Sequence, residues 1–125
     1  MVLAYAGKLK KAIAMFKKAM TLNPVPPDWY YHQLAGVYAA TGRFDEAIAA
    51  YRESLQRNPD NIPSHSGLAA IYGSSGREKE AGEEAQEALR LDPNFTCRQW
   101  AKTLPLGDQE TKQLLIDGLH KAGLP

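Results

Sequence analysis

One cysteine, Cys97, occurs among 125 residues, so no internal disulfide can staple this chain and its stability has to come from a packed core. That usage fits a reducing compartment. Long apolar runs are also missing. The opening MVLAYAGKLKKAIAMF is interrupted by lysines and reads as neither a signal peptide nor a membrane span, so the expected location is cytoplasmic. Net charge is only +1, which gives no overall field for nucleic acid or an anionic membrane. The means of catalysis are missing too. His32, His65 and His120 fall on three different expected helices, and no Cys/His or His/carboxylate pair has metal-ligand spacing. No glycine-rich phosphate loop follows a strand. The expectation is therefore no catalytic residue, no metal and no cofactor: a chain that is not an enzyme. Cys97, close to Trp100, reads as a small hydrophobe, and His65 as a packing substitute for an aromatic.

What is present is ordinary globular material, 44% hydrophobic and 23% charged, in a length that suits one domain. Its pattern repeats. Gly7, Gly42 and Gly76 recur at one nearly constant spacing. The same steps connect Ala12, Ala47 and Ala81; Ala19, Ser54 and Ala88; and Pro24, Pro59 and Pro93. Leu34, Ala35 and Tyr38 recur as Leu68, Ala69 and Tyr72. Phe16 and Tyr51 share a position that is filled by the smaller Ala85 in the third copy. Within each copy, apolar residues at three- and four-residue steps predict helices that break at the glycines and prolines.

With its Leu/small/Tyr…Ala…Phe…Pro pattern, the chain resembles the tetratricopeptide-repeat proteins, whose unit is a helix–turn–helix of about 34 residues. The resemblance covers about residues 1–95. It implies an all-α, right-handed helix–turn–helix solenoid forming a single domain. Residues 1–27 would be a half-repeat, 28–61 and 62–95 full repeats, and 96–125 a capping pair of helices. The tail LLIDGLHKAGLP also resembles repeat blocks attached to bacterial adenylate-cyclase-like regulators.

In chain order, residues 2–6 read as the last turn of a leading helix. Leu9, Ala12, Ile13, Phe16, Ala19 and Met20 then form one apolar stripe, with Lys8, Lys10, Lys11, Lys17 and Lys18 on the other side. Proline-rich residues 23–27 stop this helix. Asp28 reads as an N-cap or first-turn acid of a helix running to about Thr41, and the next helix spans about 44–57. The following unit begins at Asn61. Gly67, Gly73 and Gly82 lie inside its helices and weaken it, each by about 1 kcal/mol relative to alanine. A short helix is expected over Phe95–Thr103. A last one follows, from an Asp108 cap to about Lys121, with Leu114, Leu115, Gly118 and Leu119 turned inward.

The resemblance implies function as well as fold. Leading helices of such units line a concave groove that holds a protein or peptide. Here that groove would comprise Trp29, His32, Gln33, Gly36, Ala39 and Ala40, then Ser66, Ala70, Gly73 and Ser74, continuing to Arg98, Gln99 and Lys102. His32, Gly36 and Gly67 stand where chaperone-binding members carry carboxylate-gripping residues, so an extended or helical apolar peptide suits the floor better than an acidic tail. A second expectation is self-association through Leu9, Ile13, Phe16 and Met20, because only one turn of helix is available to cover them. The alternative readings are a non-catalytic regulatory segment of a larger bacterial enzyme such as a nucleotide cyclase, and a module that assembles only with itself. No nucleic-acid or membrane partner is expected.

Overall fold

The computed structural model describes residues 10–11, 13–15, 17–19, 21–22, 27–103 and 109–125, and among these there is no strand. Helical residues within 10–22 come first. Then follow α1 (Asp28–Ala40), α2 (Phe44–Arg57), α3 (Ile62–Ser74), α4 (Glu78–Leu91), α5 (Cys97–Thr103) and α6 (Gln109–Lys121). The fold is an all-α helical-repeat solenoid in which α1 pairs with α2 and α3 with α4.

The two pairs turn in the same way for a physical reason. Gly42 and Gly76 adopt φ of 78° and 79°, a left-handed conformation open to glycine at low strain. Each closes a helix end in which the following arginine N–H reaches back: Arg43 to the Tyr38 carbonyl and Arg77 to that of Tyr72, both at 2.9 Å. The same arginines then cover the same tyrosines, 4.9 Å and 4.5 Å from the ring centres. Each also pairs with a glutamate three residues on, Glu46 or Glu80.

The helices divide into two kinds. The outer helices α2 and α4 are amphipathic, burying Ala47, Ala50, Tyr51 and Ser54 in one and Ala81, Ala85 and Ala88 in the other. By contrast α1 is buried continuously from Leu34 to Ala40, and α3 from Ser64 to Gly73. A helix that is apolar or small all round is one surrounded by protein. For α3 the surroundings are α4, α2 and, extensively, α6.

Several local expectations are refined. Asp28 is the first helical residue, with Pro27 at the cap position, so it acts as a first-turn acid. Asn61 caps α3, its side chain accepting from the Ser64 N–H at 3.0 Å. The short helix begins at Cys97, and Phe95 is a buried residue of the preceding turn. Asp108 lies outside the described residues. Of the three glycines read as weakening the second unit, only Gly82 has open space around it. A Cβ on Gly67 would fall 2.2 Å from the Tyr51 ring, and one on Gly73 would fall 2.0 Å from the Gly118 carbonyl oxygen. These two glycines are spaces that other groups fill.

Candidate protein-binding groove

The stripe Trp29, His32/Gln33, Gly36, Ala39/Ala40 follows the helical period along α1, and its counterpart on α3 lies one repeat further on. Solvent reaches only the first part. Trp29 is 46% exposed and Gln33 is open, whereas Gly36, Ala39 and Ala40 are buried. On α3, Ser66, Ala70 and Gly73 are buried and Ser74 is half-buried.

Sequence reasoning missed what covers the α3 floor. Helix α6 crosses α3 there, almost backbone to backbone. A Cβ built on Gly118 would lie 2.1 Å from the Ala70 carbonyl oxygen and 2.9 Å from the Ser74 nitrogen. Leu115 and Leu119 beside it are fully buried. Of the inward residues expected on this helix, Leu114 alone turns outward, 44% exposed. The signal was available in principle: Gly73 and Gly118 each interrupt an otherwise good helix, and two such glycines allow a close crossing. Arg98, Gln99 and Lys102 on α5 are exposed.

The end of α6 is fixed separately. Gly123, at φ 100°, closes it, and the Leu124 N–H returns to the Leu119 carbonyl at 3.0 Å. The Cys97 N–H then donates to the Pro125 carbonyl oxygen at 2.9 Å, and the Cys97 thiol faces the Leu124 carbonyl at 3.8 Å. Burial pushes that thiol above its ordinary pKa, the opposite of an activated nucleophile.

At the open end, Asn61 ties the two units together. Its amide nitrogen donates to the Asp28 carboxylate at 2.6 Å and lies 2.9 Å from His32 Nδ1. Its oxygen is committed to the Ser64 N–H, so the amide orientation is determined. His32 Nδ1 is therefore the acceptor and Nε2 carries the proton. Burial holds the His32 pKa below the ordinary histidine value against the opposing charge of Asp28. Burial of Asp28 disfavours its charge, but the amides of Asn61 and Asn58 outweigh this and keep its carboxyl below the usual range.

His65 is not simply an aromatic stand-in. It is buried with Nδ1 2.6 Å from Glu84 and Nε2 2.7 Å from the Pro59 carbonyl, two acceptors that suit the imidazolium. Burial works against that charge, and the two acceptors raise the pKa in spite of it.

Of the four residues expected to mediate self-association, one is described. Ile13 is buried in the core, and Leu9, Phe16 and Met20 lie outside the described residues. Among the described residues of that helical stretch, Met15 and Leu22 are large exposed apolar side chains, at 72% and 76%. Among the described residues no group of three His, Cys, Asp or Glu could hold a metal ion, and no helix is long and apolar enough to cross a membrane.

Paired helices, left-handed glycine turns and a lining of small residues define a helical-repeat interaction module. Tetratricopeptide-repeat family models match residues 38–104 and 1–62, and the chain belongs to that family. It is similar to Hsp70-Hsp90 organizing protein 3 of Arabidopsis thaliana, 35% identical over 54 residues, which is 43% of this chain and 10% of that protein. It is also similar to the TPR repeat-containing thioredoxin TTL4 of the same plant, 39% identical over 65 residues, 52% of this chain and 9% of that protein. The chain thus corresponds to about a tenth of each relative's length.

Proposed function

We propose that this chain is a non-catalytic scaffold that holds a peptide or helix of a protein partner along its concave side. Of the residues assigned to the groove, Trp29, His32 and Gln33 make the open rim where a partner enters, and Gly36, Ala39, Ala40, Ser66, Ala70, Gly73 and Ser74 make the floor behind it, the last three lying under α6. The observation that carries this reading is Trp29, 46% exposed one helical turn before His32, whose Nδ1 meets the Asn61 amide and whose Nε2 lies outside that contact. Tryptophan is among the residue types enriched at binding hot spots. The test is a photo-crosslinking residue at Gln33, with exposed Gln86 on α4 as control. Partner adducts should form from position 33 and disappear with Trp29→Ala. Adducts from position 86 alone would refute the groove.

A second reading, self-association, is favoured by Met15 and Leu22, which lie two helical turns apart on one helix side and are both largely exposed. Sedimentation at two concentrations should show a dimer that Met15→Glu with Leu22→Glu reduces to monomer. A wild-type chain that is monomeric at both concentrations removes this reading.

A further inference from the structure

We infer that the α3 part of the groove is a receptor for a helix, and that α6 is its resident ligand, competing with any partner helix for the same seat. This rests on the groove reading and specifies which class of ligand the second unit takes. The seat consists of Ala70, Gly73 and Ser74, three of the residues that family resemblance assigns to partner binding. In the structure they are met by the backbone of Gly118. The fit is specific in two directions. Gly73 cannot gain a Cβ without striking Gly118, and Gly118 cannot gain one without striking Ala70. The occupant must therefore present glycine at the crossing. It must also present leucine three residues before and one residue after, where Leu115 and Leu119 are fully buried. An extended peptide could not place those three groups on one side, because its side chains alternate every second residue.

A second anchor accompanies the crossing: the Pro125 carbonyl receives the Cys97 N–H, so the end of α6 is clasped to the start of α5. Tethering gives α6 an effective concentration on the order of millimolar, so a free helix of equal fit is excluded at ordinary concentrations. A partner helix gains the seat when it binds better than the tether favours α6, or when α6 is weakened.

The probe is a fluorescein-labelled peptide of residues 109–125, added to the full-length chain. Wild type should bind it poorly. Full-length Gly118→Phe, whose own helix no longer fits, should bind it at least tenfold more tightly, and the same peptide carrying Gly118→Phe should not bind. Because a bulky residue could disturb folding, Leu115→Ala with Leu119→Ala serves as a second full-length variant that loosens α6 without adding bulk. Hydrogen exchange of α1–α4 is followed in both. If α1–α4 stay protected and neither variant gains affinity, the seat is not a helix receptor. If α1–α4 lose protection in both, α6 is a permanent wall and the proposal is equally overturned. Neither result bears on crosslinking from Gln33, which tests the groove reading on its own.

Discussion

Two glycine-to-alanine changes in the same unit should move stability in opposite directions. Both replacements gain helix propensity of up to about 1 kcal/mol. At Gly82 nothing lies within 4 Å of the new methyl group, so Gly82→Ala should stabilise by about 0.5–1 kcal/mol. At Gly73 the methyl would fall 2.0 Å from the Gly118 carbonyl oxygen and 2.8 Å from its carbon. Those atoms belong to backbone and cannot rotate aside, so α6 has to retreat by more than an ångström. Overpacking typically costs about 1–3 kcal/mol. The retreat also exposes part of Leu115 and Leu119, each worth about 1.5–3 kcal/mol when wholly buried. After the propensity gain, Gly73→Ala should destabilise by about 1–3 kcal/mol. Urea denaturation followed by circular dichroism would place the two midpoints on opposite sides of wild type. A Gly73→Ala midpoint at or above wild type would show that α3 and α6 do not cross at this distance.

Stability should also vary with pH in a manner that two histidines divide. The folded pKa of His65 is raised, so its contribution is complete below its unfolded value, about 6.5, and is lost as pH rises through the folded value. His32 has the opposite sign: its folded pKa is lowered, so its contribution is complete above about 6.5 and is lost as pH falls through the folded value. His65→Gln should flatten the alkaline loss and His32→Gln the acid loss; a wild-type stability constant from pH 5 to 8 would contradict both. Amides of α3, enclosed by α2, α4 and α6, should exchange more slowly than those of amphipathic α4, and the reverse order by mass spectrometry would be inconsistent with the packing. Asn61→Ala should destabilise by about 0.5–2 kcal/mol through loss of the α3 cap, and more if Asp28 and His32 find no water to replace its amide. A thermal melt unchanged by that substitution would count against the joint.

Much of this architecture was legible because repeats state their spacing directly. Gly42 and Gly76 fixed the turns, and Leu34 to Tyr38 against Leu68 to Tyr72 fixed which helices correspond. What could not be read was the fate of residues whose meaning depends on a distant neighbour. Gly67 looks like a weak helix residue until the Tyr51 ring is placed over it. Gly73 looks the same until Gly118, distant in sequence, is found against it. His65 occupies an aromatic's place in the repeat, but Glu84 and the Pro59 carbonyl give it a polar role that periodicity does not encode. The groove residues were identifiable by their position in the repeat. Their coverage was not, since helix periodicity says which side of α6 is apolar and nothing about which helix receives it.

The Asn61 joint has a consequence for how the molecule comes apart. Repeat arrays are often treated as beads, each with its own stability and a modest coupling to the next. Here one side chain simultaneously caps the start of α3 and hydrogen-bonds Asp28 and His32 in α1, while Ser54 ties the far end of α2 to the Asp28 carbonyl at 3.0 Å. Melting α3 therefore removes the Asn61 amide from Asp28 and His32, and melting α1 leaves that amide without its acceptors. The two hairpins share a single fate. Calorimetry should record one endotherm whose van't Hoff and calorimetric enthalpies agree, with a shoulder emerging only once Asn61 is removed. At the corresponding position one repeat later the sequence has Phe95, so the next boundary along the chain is joined by apolar contact and lacks this linkage.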